Sequence, residues 1–359
     1  MSNIKIALIG CGFFGQQLAL GFTKAGADLL GVTDLSMEFA ERLAAKFNTK
    51  AYSDMETLFH EVTPDLVLIA TPNYAHKVPA LTALKHGCHI FIETPFSIHQ
   101  TDCSEILTLA EQKKKSVFIG HLLRTLPGLL KAKELMMQNV LGKITVARAS
   151  RQRWIDAFQD KNWWKNDVNL TGGKLFNEIH ELDLLCWLLG DVSSVYAQAT
   201  NRAHTDTPDN HDIIQLLLQF ESGVFASLEM GTAYRLHEWG ITIHGELGAL
   251  MVNFFTSTMT LSFADGTRQQ FNLYDEFEAD LSLRESGKAT QKYNLPTALS
   301  PLWLTRAVEI EADMVVKHLL GVTEHCILSQ ATTKAIAVAC AAKKSIETQQ
   351  RVELDTASM

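Results

Sequence analysis

Ile4-Lys5-Ile6-Ala7-Leu8-Ile9-Gly10-Cys11-Gly12-Phe13-Phe14-Gly15 is the stretch that decides how this chain is read. Ile4 to Ile9 is a short run rich in β-branched residues, the composition of a buried parallel strand. Gly10, Gly12 and Gly15 follow at once, and Gln16 to Ala25 carries a helical pattern closed by Gly26. A second apolar run, Leu29 to Thr33, ends in Asp34. Strand, glycine turn, helix, strand and acid form the context in which Gly-x-Gly-x-x-Gly cradles a dinucleotide. Gly10 and Gly12 allow a tight turn and the close approach of a pyrophosphate, and Gly15 lets the helix pack on the strand. The helix start, with Phe13 and Phe14, offers N–H groups and a partial positive charge.

Asp34 stands nineteen residues after Gly15, the spacing of an acid that accepts hydrogen bonds from a ribose diol. A carboxylate there repels a 2′-phosphate. Leu35 and Ser36 follow, with no adjacent arginine to offset it, so NAD is expected and NADP disfavoured.

Outward from the turn the alternation continues. Ser36 reads as an N-cap for a helix with Phe39, Leu43 and Phe47 on one face. Lys50 to Tyr52, Leu66 to Ala70, His89 to Ile92 and Val117 to Ile119 read as further strands, with a helix up to His86 and another from about Gln100 to Gln112. The pattern predicts a doubly wound parallel sheet, whose ligands bind at the carboxyl ends of the strands. Those ends carry Gly10–Gly15, Asp34, Thr71-Pro72-Asn73 with His76, Glu93-Thr94-Pro95 and Gly120-His121.

Composition bounds the rest. The chain has 359 residues, 32 Lys plus Arg against 40 Asp plus Glu, and a net charge of −8. With 47% hydrophobic and 20% charged residues it is neither disordered, collagen-like nor coiled coil. The length suggests two domains, and the acidic balance argues against a nucleic-acid partner. No run approaches the ~20 apolar residues of a membrane span. Leu8-Ile9-Gly10-Cys11 imitates a lipoprotein cleavage site, but the preceding apolar run, interrupted by Lys5, is too short for a signal core. None of the six cysteines forms Cys-x-x-Cys. Reduced core thiols in a cytoplasmic protein, with no metal site, are the expectation.

The second half opens with Arg124, suited to clamp a carboxylate or phosphate or to form an ion pair at the domain junction. A strand is expected over Lys143–Gln152, then Trp154 and the Trp163-Trp164 pair, which suit a sugar-stacking wall or a domain core. Thr171-Gly172-Gly173 precedes a helix predicted from about Lys174 to Leu189, with Asn177, His180, Asp183 and Trp187 along one stripe. His180 is the catalytic candidate: an imidazole titrates near neutral pH and can take a hydroxyl proton as hydride leaves the same carbon. The bland alternative ties it to Asp183 or Glu178 for structure. From Val192 to Phe263 six strands alternate with turns, and helices near Leu302–Leu320 and Ser329–Glu347 close the chain. Phe271 to Thr297 reads as an irregular excursion.

These marks together resemble the glucose–fructose oxidoreductase / inositol dehydrogenase / MocA-like (Gfo/Idh/MocA) family over essentially the full length. The marks are the Gly10–Gly15 turn, Leu66–Asn73 with His76, Glu93-x-Pro95, His121 with Arg124, the Trp163-to-Asp183 block and the closing helix with Ser345. The resemblance implies a Rossmann domain over 1–120 and, over 121–359, an α+β domain with a large open, mainly antiparallel sheet. The closing helices can pack back on the first domain. It implies cofactor contacts from Gly10, Gly12, Phe13, Phe14, Gly15, Asp34, Thr71, Pro72, Asn73, His76, Glu93 and Thr94. Substrate contacts fall to Asn177, Arg124 and Trp163, and proton transfer to His180. It further implies a homodimer or homotetramer assembled through the second sheet.

Two departures stand out. The family's Glu-Lys-Pro element reads Glu93-Thr94-Pro95, so an uncharged hydroxyl replaces the usual lysine. The family's Asp before the histidine falls on Asn177 when matched from the glycines and on Phe176 when matched from His180. The implied activity is NAD(H)-dependent hydride exchange at a hydroxyl carbon of a sugar, polyol or cyclitol. The lost lysine leaves two alternatives open: a non-catalytic NAD or sugar sensor, and an NAD-dependent glycoside hydrolase.

Overall fold

A computed structural model describes residues 3–155, 164, 167–204, 211–274, 302–328 and 333–355. Trp163 and most of the expected 271–297 excursion lie outside them. The described residues form two compact units. The sequence reading put one boundary at 120/121. The described chain changes unit after Thr125, with Ile98–Gln100 also falling to the second unit, and the two closing helices divide between the units.

The first unit is built on a six-stranded parallel sheet in the order β3-β2-β1-β4-β5-β6. Its strands are β1 Lys5–Ile9, β2 Asp28–Thr33, β3 Lys50–Tyr52, β4 Leu66–Ile69, β5 His89–Ile92 and β6 Val117–Ile119. β4 is buried throughout and β1 from its second residue on, the result of helices covering both faces. Between strands run α1 Phe13–Lys24, α2 Met37–Phe47, α3 Met55–Glu61, α4 Lys77–Lys85 and α5 Gln100–Lys113. Ser36 does sit at the N-cap of α2, yet its side chain makes no capping bond.

The first closing helix, α10 at Leu302–Leu319, belongs to this unit. It packs on α1 at Gly21, where a Cβ would lie 2.9 Å from Val308 Cγ1. Phe22, Leu18, Phe91, Phe118, Val308, Ala312 and Val315 share that core.

The second unit holds a nine-stranded sheet ordered β14-β13-β12-β11-β7-β10-β9-β8-β15. The strands are β7 Ile144–Trp154, β8 Val192–Thr200, β9 Ile213–Phe220, β10 Phe225–Gly231, β11 Ala233–Gly245, β12 Gly248–Asn253, β13 Thr258–Phe263, β14 Arg268–Asn272 and β15 Val352–Glu353. Every pairing is antiparallel except β7 with β10. One face buries Ala147, Ala149, Leu216, Leu218, Leu228, Ile241 and Val252. On that unit lie α6 Pro127–Met137, the short helices α7 Val168–Thr171 and α8 Lys174–Asn177, then α9 His180–Leu189 and α11 Lys334–Thr348. The opposite face exposes Val146, Leu217, Phe225 and Met251.

The single helix expected over Lys174–Leu189 is broken. α8 ends at Asn177, Glu178 leaves the helical region at φ −119°, ψ 46°, and α9 starts at His180. The break has a physical cause on the sheet, described next. Among the described residues no helix is long and apolar enough to cross a membrane.

Candidate active site

In the first unit the glycine turn is fixed by close contacts. Gly10 has φ +98°, and a Cβ there would lie 2.7 Å from the Ala70 carbonyl. A Cβ on Gly15 would lie 2.0 Å from Gly10 O, so helix and turn touch backbone to backbone. Gly12, by contrast, opens onto space: a Cβ built there meets nothing within 4 Å. That gap lies at the N-cap of α1, where oriented N–H groups and the helix dipole favour a phosphate.

Asp34 is woven into the same turn. Its carboxylate accepts the Cys11 N–H at 2.7 Å and the Ser36 N–H at 2.8 Å. A carboxylate has about four lone-pair positions, so further acceptor capacity remains for a ribose diol. The neighbouring Cys11 is no nucleophile. Burial, then the Asp34 charge, pushes its thiol upward, and Sγ points to Thr33 O at 3.6 Å. The free space at Gly12 and the half-buried acid at the end of β2 fit a dinucleotide.

The loops after β4 and β5 are joined by His76. It is 1% exposed, with Nδ1 3.0 Å from Pro95 O and Nε2 2.9 Å from Thr71 O. Burial lowers its pKa against the pull of those carbonyls. The sequence reading made His76 a cofactor contact. Its geometry makes it a strut holding the Thr71–Asn73 loop against Glu93–Pro95, because its ring lies between the Thr71 and Pro95 carbonyls and its one N–H donates to one of them. Asn73 is buried, and its side-chain oxygen accepts the Tyr74 N–H. Thr71 and Thr94 stay partly exposed at the strand ends, and the Thr94–Pro95 peptide is cis.

Arg124 is 1% exposed and donates to the Ile327 carbonyl at 3.4 Å, within the packing of the first unit rather than on a surface open to substrate.

The second unit contributes a buried ionic network. Arg151 and Arg153 alternate on β7 and so share the face that looks at α8 and α9. Arg151 Nε lies 3.1 Å from Glu178 Oε2, and Arg153 Nη2 2.6 Å from Glu178 Oε1. Arg151 Nη1 also meets Glu181 Oε1 at 3.0 Å, where Trp239 Nε1 donates at 2.6 Å. Burial pushes the Glu178 carboxyl up, but Arg153, Arg151 and Lys174 outweigh it and hold the pKa at about 2. These bonds pull Glu178 out of line and explain the helix break.

His180 follows that break. No hydrogen bond from a described residue ties its ring, and it keeps some exposure. The tether of the bland alternative is absent: Glu178 is taken by the arginines. Burial, then Arg151, lowers the His180 pKa, leaving a neutral imidazole at pH 7. Asn177, half-buried, closes α8 three residues earlier. Trp154 is covered by Arg235, whose Cζ lies 3.5 Å from the ring centroid.

Lys174 escaped the sequence reading. It is 7% exposed, donates to Thr232 Oγ1 at 3.1 Å, and burial lowers its pKa to about 8. The available signal was two arginines, 151 and 153, in strand alternation with the apolar Ala147 and Ala149.

The family models agree with these two halves. One described as an oxidoreductase family with an NAD-binding Rossmann fold matches residues 4–121, and the GFO/IDH/MocA C-terminal domain matches 129–251. An uncharacterized oxidoreductase of Streptococcus pneumoniae serotype 4 is 30% identical over 98% of both chains. A 2,7-anhydro-N-acetylneuraminate hydratase of Mediterraneibacter gnavus is 28% identical over 99% of this chain and 97% of its own. A solved levoglucosan dehydrogenase, in complex with NADH and levoglucosan, shares the fold with TM-score 0.82 at 19% identity, covering 99% of this chain and 100% of its own. The chain belongs to the Gfo/Idh/MocA family of NAD-binding oxidoreductases.

Proposed function

We propose that the chain exchanges hydride with a hydroxyl-bearing carbon of a sugar, polyol or cyclitol, with NAD(H) as cofactor and His180 as the proton carrier. The carrying observation is the untethered, neutral His180 beside the Arg151–Glu178 network. A neutral imidazole accepts the hydroxyl proton in oxidation and returns it in reduction. Bound nicotinamide supplies the hydride acceptor or donor. Gly12 and the start of α1 hold the pyrophosphate, and Asp34 holds the adenosine ribose and disfavours a 2′-phosphate. Thr71, Asn73 and Thr94 border the cofactor from the ends of β4 and β5, and Asn177 orients the substrate. The levoglucosan dehydrogenase relative supports the substrate class.

A second reading is favoured by the hydratase name of the M. gnavus relative. Addition of water is redox-neutral, and a cofactor that takes hydride and returns it within one turnover can serve it. The uncharged Thr94 suits either course. NAD-dependent turnover of a panel of sugars, anhydro-sugars and cyclitols tests both readings. Net NADH formation supports a dehydrogenase, and product without net NADH supports the redox-neutral course. NAD binding with no product from any member overturns both.

The open face of the second sheet also supports a homo-oligomer. Val146, Leu217, Phe225 and Met251 share that face and are 45–60% exposed. Exposed apolar side chains on one sheet face are of the kind a protein contact uses.

A further inference from the structure

His180 stands between two residues that the second sheet holds. Glu178 precedes it by two positions and Glu181 follows it by one. Arg151 of β7 grasps both: its Nε lies 3.1 Å from Glu178 Oε2 and its Nη1 3.0 Å from Glu181 Oε1. Arg151 is the register partner of Trp239 on β11. Its guanidinium lies 4.8 Å from the Trp239 ring centroid, and Trp239 Nε1 donates to the same Glu181 oxygen at 2.6 Å. Trp239 is in turn stacked on the buried Phe254, with ring centroids 4.7 Å apart. Arg153 adds a second hold on Glu178 at 2.6 Å.

The residue types matter. A guanidinium is a rigid fork of donors, so one Arg151 reaches two carboxylates, where an ammonium offers a single point of charge. The Glu181 side chain is fully buried and Glu178 nearly so, which makes these contacts costly to break. Both glutamates hang from the backbone that carries His180. The bond from Asp183 N–H to Ile179 O at 2.9 Å closes the first turn of α9 across the same residues. The main chain is thus fixed on either side of His180, while no described residue makes a hydrogen bond to its ring.

We propose that the cross-strand pair Arg151–Trp239 positions His180 for proton transfer: it anchors the backbone on both sides of the imidazole, so the ring is aimed through its main chain and its nitrogens are kept for the substrate proton. The inference rests on the reading of His180 as proton carrier. A base aimed by a hydrogen bond to its own ring has one nitrogen committed to that bond. Here the aiming contacts lie outside the ring. Displacing a reacting group by about 1 Å costs about a hundredfold in rate, so an anchor of this kind has a kinetic consequence. Arg151 and Trp239 act through His180 and are positioning residues.

Hydrogen exchange tests the anchor without any substrate. Arg151→Lys keeps a cation but gives up the fork, and Trp239→Phe keeps the aromatic packing but gives up the N–H. In each variant, amide exchange over residues 178–186, read by mass spectrometry, should quicken at least about tenfold while β8 stays unchanged. Unchanged exchange over 178–186, or equal quickening in both segments, overturns the anchor. Turnover of a panel sugar or cyclitol that the wild type converts tests the consequence. Arg151→Lys should lower kcat about ten- to a hundredfold with NADH affinity unchanged. In a His180→Ala background the same change should cost less than about twofold, because a group acting through His180 has nothing left to aim. A full loss retained in that background overturns the positioning role. If Arg151→Lys does not fold, Trp239→Phe carries the same cycle. A His180→Ala protein with intact kcat overturns the proton-carrier reading instead, and the exchange result is independent of it.

Discussion

The Asp34 carboxylate accepts the backbone N–H of Cys11 at 2.7 Å, so the acid that ends β2 holds the glycine turn that ends β1. On the proposed reading, cofactor choice and turn geometry share one side chain. Leu35 beside it is fully exposed and free to change without loss of packing. The double variant Asp34→Ser, Leu35→Arg removes the repulsion of a 2′-phosphate and adds a bidentate donor. Its NADPH-to-NADH affinity ratio should rise at least about tenfold. Fluorescence titration of both nucleotides checks this, and an unmoved ratio removes Asp34 from cofactor selection.

Gly12 and Gly15 should separate binding from folding. Gly12→Ala adds a methyl that meets no protein atom within 4 Å, at a φ of −69° that alanine accepts. It should melt like the wild type yet bind NADH at least about tenfold more weakly, since the methyl fills the phosphate space. Gly15→Ala drives a methyl into Gly10 O and should lose about 1–3 kcal/mol of stability. Thermal unfolding beside nucleotide titration distinguishes the two. A Gly12→Ala protein with full NADH affinity places the phosphate elsewhere.

His180→Ala should lower kcat by about 10²–10⁴ while NADH affinity stays unchanged. The base must be neutral to take a proton, so oxidation falls off as pH drops through the His180 pKa. Burial and Arg151 set that pKa below the ordinary value of 6.5. The wild type should hold its rate at pH 7, with an acid limb that disappears in His180→Ala. A limb that persists unchanged belongs to another group.

Arg151→Met removes a cation shared by Glu178 and Glu181 and should cost about 3–5 kcal/mol in urea unfolding. Glu178 has a folded pKa of about 2, below its unfolded value. Its contribution is complete above the unfolded pKa and is lost as pH falls toward about 2. That acid dependence should shrink in Arg151→Met. A variant as stable as the wild type shows that Arg153 and Trp239 hold the carboxylates alone.

The parallel sheet was legible because each buried strand is a continuous apolar run punctuated by glycine or a polar end. Leu66–Ile69 and His89–Ile92 are examples. β11 was legible only over Trp239–His244. Its start, Ala233 to Glu238, is polar, and its register with β7 shifts there. β14 alternates no apolar residues and escaped for the same reason. α3 and α6 went unread as well.

At the site, Gly10, Gly12, Gly15 and Asp34 follow from local rules, since a tight turn and a strand end are set by residues close in sequence. His180 stood out as a residue type, but its lack of a tether depends on where Glu178 goes. That is decided by Arg151 and Arg153, which reach it from β7 more than twenty residues away in sequence. His76 and Arg124 are polar in sequence, yet burial makes one a strut and the other a packing group. Glu311 reads as an ordinary glutamate of an amphipathic helix until the fold buries it. Sequence alone thus determined the parallel sheet and the glycine turn at its first loop, because periodicity and turn geometry are local. Tertiary structure decided which charges are paired, buried or protonated, because those depend on groups brought together across long stretches of chain.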